Sequence, residues 1–367
     1  MTKPTPIPAF LEAKANSVVH LTAEYEAISA MRTAYFGGSI DKQVVSELEA
    51  IWSDILLVTD AKDKDEGHLA RNPEGYVLLG LGESGTRKTS VFLRAFQSME
   101  IFKGFSRAPD NPSFLVSVTA PSSCTLGQLG KALLEGMGAP ATNLHRENLI
   151  WESLRRTLPL RGAMILHIDE AQHALGASRS DLKKVQNAIK GLVQNPIWPC
   201  WVIMTGLPEA ALLVEGDGQV YRRKQVVRFP LLNGDADAET VRRTVTMFGE
   251  KHGKRSIDNL ITDGFLKRLT HASMSRLGIA IDLTRWAVQE AYSAGDANLT
   301  AGHYARAFKR WTGCADVDNV FVVPDYDKVA VGKFLTREFV EDLEASTTVI
   351  DPKRARMLRR LGINVPA

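Results

Sequence analysis

Cysteine is scarce in this chain: its 367 residues include Cys124, Cys200 and Cys314 and no others. The three lie far apart, without the close pairs that hold zinc or an iron–sulfur cluster, and they are too few to staple a secreted domain. Buried free thiols in a reducing cytoplasm are therefore expected. Apolar runs are short, so none can cross a bilayer, and no signal-peptide core opens the sequence. An excess of one charge is lacking too, since a formal net charge of +3 is too small to argue nucleic-acid binding by itself. No repeat or low-complexity segment stands out. Gly80, Gly82 and Gly85 have the spacing G-x-G-x-x-G, but with Lys88 and Thr89 behind them the glycines follow a phosphate-loop pattern rather than a dinucleotide-binding one, and no carboxylate cluster beyond the pair described below has metal spacing. A dehydrogenase and a metal-dependent nuclease therefore have no support.

What is present is ordinary globular composition, 44% hydrophobic and 24% charged, in a chain long enough for two or three domains. Residues 1–20 carry Pro4, Pro6 and Pro8 and read as an irregular arm. Helical periodicity follows in Leu21, Tyr25, Ile28, Met31 and Tyr35, and again in Val44, Leu48, Ile51, Trp52, Ile55 and Leu56. The charged stretch from Asp60 to Asn72 reads as a surface loop. From Gly75 to about Phe229, short apolar runs alternate with helical stretches, the pattern of a parallel α/β sheet. Expected strands are Tyr76–Leu81, Ser113–Ser117, Ala163–Ile168, Trp201–Thr205 and one near Val226–Phe229. Beyond Asp235 the pattern is wholly helical, and from about residue 315 a proline-broken, basic tail follows. The expected divisions are an arm and helical segment over 1–72, an αβα core over 73–232, a helical lid over 233–313 and an extension over 314–367.

One loop carries the chemistry. Gly82-Glu83-Ser84-Gly85-Thr86-Arg87-Lys88-Thr89 lies between a buried-strand run and a helical run. It matches the Walker A pattern, G-x-x-x-x-G-K followed by Thr or Ser, except that Arg87 stands where glycine is asked for. In such a loop successive backbone N–H groups and the helix N-terminus cradle phosphates, so Gly82 to Thr89, with Ser90, form the expected cofactor-binding segment. Lys88 would reach the β- and γ-phosphates and Thr89 would ligate Mg²⁺. Met164-Ile165-Leu166-His167-Ile168-Asp169-Glu170 is an apolar strand ending in paired carboxylates. Downstream of a P-loop this reads as Walker B, with Asp169 on the metal and Glu170 polarising the attacking water as general base. His167, inside the strand, reads as packed rather than catalytic. ATP and Mg²⁺ are the expected cofactors.

An αβα core followed by a small helical lid resembles the layout of the AAA+ P-loop NTPases, which have a parallel sheet core and a C-terminal all-helical lid. That resemblance implies that the strand Trp201-Val202-Ile203-Met204-Thr205 lies between the two Walker strands. Thr205 would then be sensor 1, orienting the water; an ordinary strand-end threonine is the alternative. An arginine finger from a neighbouring subunit is also implied. Arg222, Arg223 and Arg228 stand at a suitable distance, with Arg223 favoured. Arg276 opens a lid helix where sensor 2 would sit, although a solvated helix-start arginine explains it equally well.

Within that class the chain resembles the TniB-type transposition ATPases, relatives of TnsC, IstB and MuB, over roughly residues 20–330. The resemblance is carried by Ile168-Asp169-Glu170-Ala171-Gln172-His173 and by the helix Val185-Gln186-Asn187-Ala188-Ile189-Lys190-Gly191-Leu192. Thr205-Gly206-Leu207-Pro208-Glu209, Ile281-Asp282-Leu283-Thr284-Arg285-Trp286-Ala287 and Asn319-Val320-Phe321-Val322-Val323-Pro324-Asp325 support it. It implies an ATP-dependent regulator of DNA transposition in the bacterial cytoplasm. Such a protein forms a homo-oligomeric filament or ring on duplex DNA through sequence-tolerant backbone contacts. It recruits or stimulates a DDE transposase, often with a TniQ-like targeting partner. Lys103 and Arg107 are candidate DNA-facing residues. The basic run Lys353, Arg354, Arg356, Arg359 and Arg360 would meet DNA or transposase.

The Asp-Glu-Ala-Gln-His form of Walker B is shared with other AAA ATPases that act on DNA. A helicase-loader-like or secretion-pathway ATPase is thus one alternative, and a non-hydrolysing nucleotide-gated scaffold is another. Arg87 bears on the last of these. If the loop needs a positive φ there, an L-residue costs on the order of 1–2 kcal/mol. The expectation is retained but altered nucleotide binding, with the rate of hydrolysis in question.

Overall fold

The computed structural model describes residues 22–63, 74–106, 114–122, 124–176, 178–215 and 222–332. Among these described residues two helices come first, α1 (Thr22–Thr33) and α2 (Ser39–Asp63). Helix α2 extends through residues 60–63, which the charge pattern assigned to a loop. The reason is local: neither glycine nor proline interrupts Asp60-Ala61-Lys62-Asp63.

The apolar runs then become β1 (Val77–Gly82), β2 (Leu115–Thr119), β3 (Ile165–Asp169), β4 (Trp201–Gly206) and β5 (Lys224–Phe229). Between them lie α3 (Lys88–Ser98), α4 (Leu126–Gly136), α5 (Glu147–Arg161) and α6 (Arg179–Val193). All strand pairs are parallel, in the order β2-β3-β4-β1-β5. Strands β1, β3 and β4 are buried at every residue, whereas the edge strands β2 and β5 are partly exposed. A strand can be apolar throughout only where helices cover both faces of the sheet, as they do here.

The pleat sorts neighbouring residues into two cores. Val77, Leu79 and Leu81 pack with Leu166, Ile168, Val202 and Met204 beneath α4, α5 and α6. Leu78 instead joins Ile165, Trp201, Ile203 and Val227 beneath α2 and α3. Burying such an aliphatic side chain contributes about 1.5–3 kcal/mol. Gly80 has a specific task within β1. A Cβ there would come within 2.6 Å of Phe92 Cε2 and 3.0 Å of Thr205 Cγ2, so only glycine lets α3 settle on the sheet beside β4.

These elements, within residues 37–231, make one compact unit; of the other described residues, 22–36 and 232–332 make a second. The second unit is built from α1, α7 (Ala238–Val245, continuing as a π-helical turn over Thr246–Lys251), α8 (Asp263–Ala272), α9 (Leu277–Ala294) and α10 (Ala301–Thr312). Met31, Val241, Phe248, Leu269, Leu283 and Phe308 are among its core. Thr262 caps α8 by accepting from the Phe265 N–H, and Gly295 and Gly313 end α9 and α10 in left-handed conformations. Arg268 on α8 donates to the carbonyls of Val320 and Val323, pinning the Asn319–Pro324 segment to that helix.

Candidate functional site

The P-loop bridges β1 and α3, and its shape is set mostly by backbone. Gly82 ends the strand, and Thr86, buried, donates its hydroxyl to the Glu83 carbonyl at 2.7 Å. Lys88 is also buried, and its ammonium donates to the carbonyls of Gly82 and Glu83 at 2.7 and 2.8 Å. Ser84, Gly85 and Ser90 are exposed. Two residues take the left-handed conformation, Gly85 at φ 78° and Arg87 at φ 72°. The first suits its residue. The second is the conformation that glycine would supply at the Walker position, so Arg87 carries a strain of about 1–2 kcal/mol. Arg87 is also the N-cap of α3, where no side chain caps the helix, so the first-turn N–H groups point into the loop.

Across the sheet the carboxylates sit at the end of β3. Asp169 is buried, and its Oδ1 accepts three hydrogen bonds: from Thr89 Oγ1 at 3.1 Å, Thr205 Oγ1 at 2.6 Å and the Glu170 N–H at 3.1 Å. The strand order makes this possible, because β4 lies directly between β3 and β1. The position expected for a sensor 1 strand is therefore the one β4 occupies. Glu170 is itself left-handed at φ 53°. Gln172 donates to its Oε2 at 2.5 Å and accepts from the Leu207 N–H at 3.1 Å, tying the carboxylate to the end of β4. Gly206 makes room for this link, since a Cβ there would lie 2.4 Å from Gln172 Oε1.

The arginines are spread out. Arg222 and Arg228 are exposed, and Arg223, half-buried, pairs with Glu74 ahead of β1. Arg276 is the N-cap of α9 in the helical unit, presented by a turn in which Met274 and Ser275 have φ of 50° and 58°. Lys103 is exposed and pairs with Glu100 at 2.6 Å. Arg107 and the basic run over 353–360 lie outside the described residues. All three cysteines are buried, and burial pushes the thiols of Cys124 and Cys200 up to about 11 and about 12. Neutral thiols of this kind are poor nucleophiles, which leaves them structural. Among the described residues no helix is long and apolar enough to cross a membrane.

Gln172 and the polar partners of His167 were not legible as site residues. A weak signal existed in Ser117 and Thr205, which interrupt otherwise apolar strands on either side of β3.

Comparison with known proteins agrees with this architecture. No curated protein matches the sequence. The structure is similar to Cdc6p from Pyrobaculum aerophilum, 14% identical with a TM-score of 0.52 over 79% of this chain and 75% of that one. It is also similar to the ORC1 protein of Aeropyrum pernix, 16% identical with a TM-score of 0.52 over 88% of this chain and 83% of that one. At such identities the likeness speaks for the fold, an AAA+ αβα core followed by helices. Residues 69–233 match the family model described as "Bacterial TniB protein". That match runs from ahead of β1 to beyond β5 and takes in both Walker motifs, so this region of the chain is similar to the TniB family and has the AAA+ fold.

Proposed function

We propose that the chain binds and hydrolyses ATP with Mg²⁺ and uses the cycle to regulate DNA transposition. In this reading it oligomerises on duplex target DNA and recruits or stimulates a transposase. The observation that carries the ATPase part is the convergence of Thr89 and Thr205 on one oxygen of Asp169. Hydroxyl and carboxylate oxygens are the hard donors Mg²⁺ takes, so Thr89 and Asp169 fit the ion. Among the described residues no group of three or more His, Cys, Asp or Glu could hold a metal. The two donors would therefore share the ion with phosphate oxygens and water, as is usual for Mg²⁺. Bound Mg²⁺ would neutralise charge on the phosphates.

The chain's own residues do the rest. Lys88 would exchange its two carbonyl partners for phosphate oxygens, and the N–H groups at the start of α3 would donate to the same group. Glu170 would accept the proton of the attacking water once Gln172 releases it. Thr205 would orient that water, Arg223 of a neighbouring copy would stabilise transition-state charge, and Arg276 would act as sensor 2.

The TniB match supports the transposition part, and one structural neighbour, the Aeropyrum pernix ORC1 protein, was solved in complex with DNA. The modest net charge of +3 is compatible with this, because a polymer sums weak backbone contacts over many subunits. Electron microscopy of the protein with duplex DNA, with and without a non-hydrolysable ATP analogue, tests the reading. Nucleotide-dependent filaments or rings are expected, and dispersed monomers in both conditions would count decisively against it. The left-handed Arg87 favours a second reading, a nucleotide-gated scaffold that does not turn over. Phosphate release with DNA present separates the two: turnover that disappears in Glu170→Gln supports the ATPase, and none under any condition supports the scaffold.

A further inference from the structure

His167 lies in the middle of β3, wholly buried, where the strand pattern asks for an aliphatic side chain. Phe92 of α3 stacks on its ring at a centroid distance of 5.8 Å, and Phe96 meets it edge-on at 5.1 Å. An imidazole sealed in this way needs a partner for each ring nitrogen. It has both. Nδ1 lies 2.8 Å from Ser117 Oγ on β2, and Nε2 lies 3.0 Å from Thr205 Oγ1 on β4.

The direction of this chain of hydrogen bonds is fixed from its far end. Asp169 as a carboxylate can only accept, and the single hydroxyl proton of Thr205 goes to its Oδ1 at 2.6 Å. Thr205 must therefore accept from His167, which puts the ring proton on Nε2. Nδ1 of the neutral ring then accepts from the Ser117 hydroxyl. The polar path runs from Ser117 through His167 and Thr205 to Asp169, crossing three adjacent strands.

We propose that His167 is a positioning residue for the sensor threonine. By donating to Thr205 Oγ1 it holds that hydroxyl in the one rotamer aimed at Asp169, and so keeps the metal-binding carboxylate in place. The inference rests on the ATPase reading. A role in packing alone would be met equally well by leucine, because the pocket between Phe92 and Phe96 is apolar.

The test uses the full chain and three substitutions, with MgATP turnover in the presence of duplex DNA, ATP affinity with and without Mg²⁺, and thermal melts. Gln in place of His167 keeps a donor at the Nε2 position. Asn is too short to reach Thr205 but still suits Ser117, and Leu removes both bonds while filling the space. His167→Leu and His167→Asn are expected to lower turnover about 10- to 100-fold and to weaken the Mg²⁺ dependence of ATP binding. Metal-free ATP affinity should stay within about threefold of the native value, because the P-loop is untouched. His167→Gln should recover most of the turnover. If Leu does not melt cooperatively, the Gln–Asn contrast decides alone. Native turnover in a folded Leu variant would overturn the proposal, as would Gln and Asn variants falling equally. Absence of ATP binding by the unmodified chain is a different result: it sinks the ATPase reading and takes this inference with it.

Discussion

The two halves of the site are made differently. On the P-loop side the geometry comes from backbone: carbonyls of Gly82 and Glu83 hold Lys88, and two left-handed residues turn the chain. On the carboxylate side it comes from side chains, with His167 linked through Thr205 to Asp169 within the buried sheet and Thr89 reaching the same carboxylate from α3. Sequence tolerance differs accordingly. A backbone-built loop can admit an unexpected side chain such as Arg87 if the φ penalty is met elsewhere. A side-chain network cannot lose a member without leaving a buried polar group unpaired.

That contrast can be broken from either half. The largest expected effect is on chemistry: Glu170→Gln should lower turnover by about 100-fold or more while nucleotide affinity is retained, measured by phosphate release and titration. Thr205→Val comes next. It removes the hydroxyl between His167 and Asp169, so turnover should fall about 10- to 100-fold. Stability in urea should drop by about 1–3 kcal/mol as both neighbours lose a partner. Arg87→Gly sharpens the comparison from the backbone side. Relief of left-handed strain, about 1–2 kcal/mol, is offset by the extra freedom of glycine when unfolded, about 0.4–1 kcal/mol. Net stabilisation should thus be small, while nucleotide affinity rises. Tight binding by the glycine form beside no saturable binding by the native chain would refute retained binding.

The smallest effect concerns the opposite end of β4. Burial raises the Cys200 thiol from 9.0 to about 12. A raised folded-state value means that the folded chain holds its proton longer. The stability this represents is complete below pH 9 and is lost as pH climbs toward about 12. Denaturation midpoints should therefore decline over that window, and Cys200→Ala should flatten the decline.

Much of this was legible in the sequence because phosphate and metal chemistry demand particular residue types. Spacing brings forward Lys88, Thr89, Asp169 and Glu170 as candidates, of which the structure sets Thr89 against Asp169, and unbroken apolar runs mark the buried strands. The structure adds what depends on register. His167 meets Ser117 and Thr205 across separations of 50 and 38 residues, and no local pattern reveals which strands will be neighbours. Gln172 was visible only as part of a family-like motif, because its bridge to Leu207 needs the close approach that Gly206 permits. The conformation of Arg87 likewise depends on the loop's closure rather than on its own preference.

Strand β4 has a mechanical consequence. Its backbone is laddered to β3 on one side and to β1 on the other. Sliding the phosphate loop past the carboxylates would shear a full row of hydrogen bonds, each worth about 0.5–1.5 kcal/mol. The central sheet is therefore a stiff plate, and motion is left to whatever hangs from its rim. The first such fastening is the Glu170–Gln172–Leu207 link, just ahead of the turn Pro208–Ala211. A displacement of the Glu170 carboxylate would therefore be felt first at that turn.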